Sequence, residues 1–272
     1  PENLQQRGVT HLQRTLKDKV AMMGRLQSAL DRNAFTLMVQ PVRGLRGDCY
    51  HEVLLRMPDT DGTLLSPDRF LPVAQEFGLS SRVDLWVLDR TLRFLAEHRD
   101  RLPGQRFAIN LAPPTVCRAQ FPLEVSRLLA KYGVEAWQLI FEVTECSSFG
   151  SAEQAIQTFR QLQKMGVRIA IDDFGTGYAS YARLKSVDAD ILKIDGSFIR
   201  NIVSNSLDYQ IVASICHLAR MKKMLVVAEY VETEEIHSAV HALGIDYVQG
   251  YLIGKPVALE SLSQAGASQV DA

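Results

Sequence analysis

The chain is expected to fold as an α/β barrel of the (β/α)8 TIM type. Three observations lead there. From the second strand onward, short apolar runs alternate with amphipathic helical segments, which implies parallel strands joined by crossover helices. Nearly every apolar run ends in a polar or charged residue. In a closed barrel functional groups come from the C-terminal ends of many strands, whereas in an open sheet they gather at one switch point. No Rossmann glycine pattern follows the first strand, which removes the main argument for the open sheet. A chain of 272 residues is the right size for one barrel.

The elements follow in order. Residues 3–33 read as a polar helix with an apolar stripe (Val9, Leu12, Leu16, Val20, Met23, Leu26, Leu30) at steps of three or four. It is either an amphipathic helix lying on the domain or a connector from an upstream module, paired with its copy in a dimer. Phe35–Val42 and Tyr50–Met57 form a strand pair joined through Gly44 and Gly47. Helices follow over Pro67–Phe77, ended by Gly78, and over Arg82–Glu97. The alternation then runs strand 106–111, helix 121–132, strand 138–144, helix 152–165 and strand 168–173. It continues with strand 190–194, helix 207–220, strand 225–229, helix 233–243 and strand 247–250. Gly133, Gly166 and Gly244 stand where three of these helices must stop. The chain divides into a linker helix (1–33), a barrel (34–262) and a soft tail (263–272). It begins at Pro1 without a methionine, so we expect a piece of a longer protein, one that could be anchored in the inner membrane.

Composition narrows the function. The chain is 47% hydrophobic and 22% charged with a net charge of -1. Nothing in that balance favours a DNA or RNA polymer or a membrane surface as partner. Cys49, Cys117, Cys146 and Cys216 are scattered, as idle thiols in a reducing compartment would be. No apolar run approaches the ~20 residues of a membrane span, and no signal peptide is visible. The domain is expected to be cytoplasmic.

The most informative run is Ile169-Ala-Ile-Asp-Asp-Phe-Gly-Thr-Gly-Tyr178, a strand ending in two adjacent carboxylates and a glycine-rich turn. Asp172 and Asp173 sit in each other's field and need a cation beside them. Glu52, Asn110, Glu142 and Glu229 end other strands. All are oxygen donors of the kind hard divalent ions prefer, and no His or Cys cluster suggests zinc. A single strand-end acid is best read as a helix cap or lysine partner; this many at equivalent positions is not. Two divalent ions would neutralise most of the charge, and two-metal sites serve in-line attack on phosphodiesters. Lys193 stands among the strand ends, either as a salt-bridge partner or to orient an attacking water. Asp195, two residues on, would share its side and could position it. Arg56 is either a phosphate clamp or half of a surface salt bridge. Gln249 is a structural amide or a contact to the site. His237 and His241 read as a solvated pair on an outer helix.

These residues also carry a resemblance. His51-Glu-Val-Leu-Leu-Arg56, Asn110-Leu111, Glu142-Val-Thr-Glu145, Asp172-Asp-Phe-Gly-Thr-Gly-Tyr178, Leu192-Lys-Ile-Asp195, Ala228-Glu-Tyr-Val-Glu232 and Gln249-Gly-Tyr251 together resemble the EAL-domain phosphodiesterases that hydrolyse cyclic di-GMP. The resemblance covers about residues 34–260. It implies a barrel whose first strand is antiparallel to its neighbours, a requirement for Mg²⁺ or Mn²⁺, and the linear product pGpG. By the same resemblance Glu52, Asn110, Glu142 and Asp172 would ligate one metal, and Asp172, Asp173 and Glu229 the second. Glu52, Lys193 and Glu229 would be the catalytic set, with Lys193 on the nucleophilic water and Arg56 and Gln249 on the substrate. Glu145 would hold the loop after Asp172-Asp173, and Glu232 would support the site. A homodimer through that loop, around Tyr178–Lys185, and an upstream sensory or GGDEF-type module are expected partners.

Three positions depart from the family pattern. Val53 replaces the namesake alanine, Ala112 the usual serine, and Tyr230 the usual glycine. None removes a ligand. On an extended chain Tyr230 would point away from Glu229 and so not ligate, but through the loop that positions Glu229 it would alter the rate or metal affinity more than substrate affinity. Because every acid is kept, an active enzyme is favoured over a receptor that binds cyclic di-GMP without cutting it.

Overall fold

The computed structural model describes residues 2–144, 152–175 and 188–265. Its elements are α1 (Glu2–Asp31), β1 (Thr36–Gly44), β2 (Cys49–Pro58), β3 (Leu64–Leu65), α2 (Leu71–Glu76), α3 (Ser80–Glu97), β4 (Phe107–Asn110), α4 (Pro113–Val116) and α5 (Phe121–Tyr132). Then come β5 (Leu139–Thr144), α6 (Ala152–Met165), β6 (Arg168–Phe174), β7 (Ile191–Ile194), α7 (Gly196–Ile199), α8 (Ser206–Met221), β8 (Leu225–Ala228), α9 (Glu234–Ala242), β9 (Tyr247–Val248), β10 (Val257–Ala258) and α10 (Leu262–Ala265).

The connection from β1 to β2 is only residues 45–48, too short for a parallel crossover, so the two strands pair antiparallel. β1 also pairs antiparallel with β9. All other wall neighbours, from β2–β4 round to β8–β9, are parallel. The sheet order β1-β9-β8-β7-β6-β5-β4-β2, completed by the β1–β2 pairing, closes an eight-stranded barrel. The expected barrel and its antiparallel first strand are both present.

Three apolar regions hold it. One lies between the first half of the wall and α1, α3, α5 and α6, through residues such as Leu26, Leu88, Leu92, Phe121, Phe141 and Leu162. A second joins the other half to α8 and α9 through Leu192, Val212, Ile215, Val226, Ile236 and Val240. In α6 the buried positions Ala155, Phe159 and Leu162 recur at the spacing of one helical face. The third region is the barrel interior.

Two expectations need correction. The helix expected over 67–77 is a 3₁₀ turn at Pro67–Arg69 followed by α2. Pro72 in a continuous helix would lack its N–H bond and strike the carbonyl of residue 68, so the helix restarts with Pro72 in its first turn. Residues 263–265, expected in the soft tail, belong to α10, and Ser263 is buried with its hydroxyl donating to the Glu260 carbonyl at 2.7 Å.

The last turns of α1 bury Leu26 and Leu30 in the domain, and Arg25 pairs with Asp59 at 3.0 Å. Leu16 and Val20, further up the same helix, are exposed. No described helix is long and apolar enough to cross a membrane.

Candidate active site

Inside the barrel the side chains form tiers. The lower tier takes one residue from each wall strand: Val42, Tyr50, Ala108, Ile140, Ala170, Ile191, Val227 and Tyr247. A strand returns to the same face every second residue. Two residues nearer the mouth therefore stand Glu52, Asn110, Glu142, Asp172, Lys193, Glu229 and Gln249. On β1, which runs the other way, the corresponding residue is Gln40. The site is this one polar tier on an apolar floor. Sequence inspection had missed Gln40, which sits mid-strand rather than at a strand end. Its amide donates to the Gly254 carbonyl at 3.1 Å and accepts from Gln249 at 3.3 Å.

Lys193 is the centre. Its side chain is fully buried, with Nζ 2.8 Å from Glu142, 3.0 Å from Glu229, and 3.2 Å from both Glu52 and Asp172. Glu52 also accepts from Gln249 Nε2 at 2.7 Å and Asn110 Nδ2 at 2.8 Å. Burial opposes ionisation of the Glu52 carboxyl, but the Lys193 charge and these hydrogen bonds outweigh it and hold it below its ordinary value. Burial and the charges of Glu52 and Asp172 push Glu142 well up despite Lys193. Burial favours neutral Lys193, yet the surrounding acids hold its ammonium well above the usual lysine value.

Adjacent residues on a regular strand face opposite ways, so Asp172 and Asp173 should not both reach the mouth. A bulge in β6 solves this. Ile171 pairs with Leu192 and Phe174 with Ile194, so two aspartates oppose the single Lys193. Asp173 takes the left-handed region at φ 53°, and oxygens of Asp172, Asp173 and Glu229 come within 4.8 Å of one another. Burial, with the charges of Asp172 and Asp195, raises Asp173 to about 6. Burial raises Glu229 to about 8, with Lys193 pulling down and Asp172 and Glu52 adding to the rise.

Two cavities flank these acids. One, of about 500 Å³, is lined by Leu54, Leu55, Pro67, Leu71, Asn110 and Asp173 among others. The second, of about 300 Å³, is lined by Gln40, Arg56, Asp173, Glu229, Tyr230, Glu232, Gln249 and Tyr251 among others. Arg56 forms no ion pair with a described carboxylate; its guanidinium donates to the Leu55 carbonyl at 2.8 Å. Asp195 does not approach Lys193 as expected. It caps α7, its carboxylate accepting from the Ser197 amide at 2.8 Å, because the strand ends at Ile194 and the chain turns at once. Val53 packs outward against the helices. Ala112 caps α4 without a side-chain bond, and Asp84 of α3 serves instead, accepting from the Ala112 amide at 2.8 Å and from the Thr115 hydroxyl. Glu145 and the segment Tyr178–Lys185 lie outside the described residues.

The donors fit a hard divalent cation. Every ligand candidate offers oxygen. Glu142 Oε1 is buried without a hydrogen-bond partner among the described residues, which is costly for a carboxylate unless a cation meets it; Asp172 Oδ1 likewise accepts no hydrogen bond and faces only the Lys193 ammonium at 3.2 Å. A closed barrel with an acidic, cation-seeking tier at its C-terminal mouth has the form of a metal-dependent barrel enzyme.

Comparison with known proteins narrows that class. Residues 23–256 match the EAL domain model. The chain is 70% identical over 256 residues to cyclic di-GMP phosphodiesterase PdeF of Escherichia coli (strain K12), covering 94% of this chain and 34% of that protein. Among solved structures, the PaMucR phosphodiesterase in complex with c-di-GMP superposes with a TM-score of 0.82 at 36% identity, over 89% of this chain and 99% of the other. The FimX EAL domain from Pseudomonas aeruginosa bound to c-di-GMP gives 0.80 at 27% identity, over 86% and 96%. The chain spans roughly a third of the length of the curated relatives it matches. It belongs to the EAL-domain cyclic di-GMP phosphodiesterase family.

Proposed function

We propose that this domain hydrolyses cyclic di-GMP to linear pGpG with two divalent ions, Mg²⁺ or Mn²⁺. The observation that carries this is the intact acidic tier between two cavities, room for a ligand with two bulky halves and a charged middle. PdeF is named a cyclic di-GMP phosphodiesterase, and PaMucR a phosphodiesterase in complex with c-di-GMP, which supports the reading. Glu52, Asn110, Glu142 and Asp172 would hold one ion, and Asp172, Asp173 and Glu229 the other. Five carboxylates against one ammonium leave a formal excess of four negative charges, which two divalent ions would cancel. When bound, such ions supply Lewis-acid charge for in-line phosphoryl displacement. Lys193 Nζ orients the attacking water. The water oxygen bonds to phosphorus as the bridging P–O3′ bond breaks, and a proton equivalent to the one the water loses ends on the 3′ oxygen, so that the ring opens with a free 3′-hydroxyl. Arg56 and Gln249 contact the ligand, and Glu232 supports the mouth. A cytoplasmic setting, a homodimer through residues 178–185, and an upstream sensory or GGDEF-type module, with a membrane anchor in the full-length protein, complete the proposal.

The direct test is incubation with cyclic di-GMP and Mg²⁺ or Mn²⁺, products separated by chromatography. Appearance of pGpG, abolished by EDTA and restored by metal, is expected. Tight binding with no product under either metal would assign the domain to the receptor class.

A pH dependence follows. Asp173 and Glu229 titrate in the folded metal-free protein above their ordinary values, at about 6 and about 8. Groups raised on folding contribute stability that is present below the unfolded value and is lost as pH rises through the folded one. The metal-free protein should therefore lose stability between about pH 4 and about pH 8. Metal requires both groups ionised, so the gain in melting temperature on adding Mg²⁺ should grow over the same window. A gain that is flat between about pH 5 and about pH 8 would contradict these assignments.

A further inference from the structure

Tyr230 is the least expected backbone position at the mouth. It adopts φ 54°, a left-handed conformation disfavoured for any residue with a Cβ and easy only for glycine. The chain has to turn there. Glu229 donates its amide to the Ile194 carbonyl, on the β7 side, at 3.4 Å. One residue beyond Tyr230, Val231 is already bonded to Gln249, its amide donating at 2.9 Å and its carbonyl accepting from Leu252 at 3.2 Å. Val231 backbone also lies against Gly250 so closely that a Cβ there would collide with it. Tyr230 therefore hinges the chain from one neighbour strand to the other. It does so directly after the carboxylate that joins Asp172 and Asp173.

The ring shows what holds this hinge. It lies directly over Gly196, where an added Cβ would run into its Cδ2 and Cγ. The Arg200 guanidinium carbon stands 3.9 Å from the ring centroid, in cation–π range. Both contacts come from α7 and its C-terminal end, which follow β7, the strand that carries Lys193. The extended backbone expected at Tyr230 is not what forms. The ring fastens the turn after β8 to the turn after β7.

Taking the metal site proposed above as given, we propose that Tyr230 is a positioning residue for Glu229. Its ring, held by Gly196 and Arg200, fixes the left-handed turn that presents the Glu229 carboxylate to the cation shared with Asp172 and Asp173. A glycine at this position permits the turn; the tyrosine clamp enforces it. The consequence is tighter metal binding through a better-ordered ligand. Contact with the nucleotide is not required.

The test is a metal titration without substrate. Wild type, Tyr230→Gly, Tyr230→Phe and Gly196→Ala are titrated with Mn²⁺, and the half-saturating concentration is read from the rise in melting temperature. kcat and KM for cyclic di-GMP are measured in parallel. Tyr230→Gly relieves the strained φ and is expected to fold, while raising the half-saturating concentration about tenfold, the scale of lost support to a metal ligand. Tyr230→Phe keeps the ring and should stay within about twofold of wild type. Gly196→Ala displaces the ring and should resemble Tyr230→Gly. KM should not move, and kcat should recover at saturating metal. Unchanged Mn²⁺ affinity in Tyr230→Gly overturns the clamp, as does a raised KM with normal Mn²⁺ affinity, which would mean that the ring touches the nucleotide. Wild type showing no metal-dependent stabilisation at all would overturn the metal site itself, and the clamp with it.

Discussion

Lys193→Met is expected to cost the metal-free protein about 3–5 kcal/mol, the usual range when one partner of a buried ion pair is removed. Lys193 stands within 3.2 Å of each of four carboxylates. Methionine fills similar space but leaves those acids facing one another across a buried tier. Glu52, Glu142 and Glu229 would lose the neighbouring charge that now favours their ionised forms, so the variant should be most stable at low pH and lose stability as pH rises. Divalent metal should recover part of the loss, because added cations replace the missing charge. Activity should stay low even at saturating metal, since losing the group that orients the attacking water misplaces it, and small misplacements at a reacting centre can cost about 10²-fold. Denaturant melts with EDTA or Mg²⁺ at two pH values, beside a turnover assay, separate the two effects. Normal metal-free stability would mean that the acids do not depend on Lys193.

Glu52→Ala is expected to lower turnover by at least about 10²-fold, since loss of mere support to a ligand already costs about 10–100-fold. Stability should change less than for Lys193→Met. The substitution strands Asn110 and Gln249, which both donate to Glu52, at about 1–3 kcal/mol for each unsatisfied donor. It also removes one negative charge from a crowded tier, which offsets part of that loss. Circular dichroism and an Mg²⁺ titration should show a folded protein with weakened metal affinity. A folded variant with near-normal turnover would remove Glu52 from the ligand set.

The order of strands and helices and the acids of the site were legible in the sequence for a local reason. A strand's inward face repeats every second residue, so a carboxylate closing an apolar run marks the mouth of the barrel without knowledge of its neighbours. Asn110, Glu142, Asp172 and Glu229 were found that way, as was Lys193; Glu52, expected at a strand end, lies inside β2 and reaches the mouth tier through its register with Asn110's strand. Gln40 was not found, because only the antiparallel pairing of β1 with β2 and β9 lifts a mid-strand residue into the polar tier.

The rest depended on register between strands distant in sequence. Nothing local states that β6 bulges opposite Lys193, turning Asp172 and Asp173 to the same side. Asp195 has the right spacing to accompany Lys193, yet the end of β7 makes it a helix cap. Tyr230 reads as a residue of an extended chain until Val231 is bonded to Gln249 and the backbone must turn left-handed between two strands. Residue type and periodicity thus determined which groups the site contains. Closure of the barrel decided where each one points, because hydrogen-bond register across the wall is a property of pairs of strands and not of either strand alone.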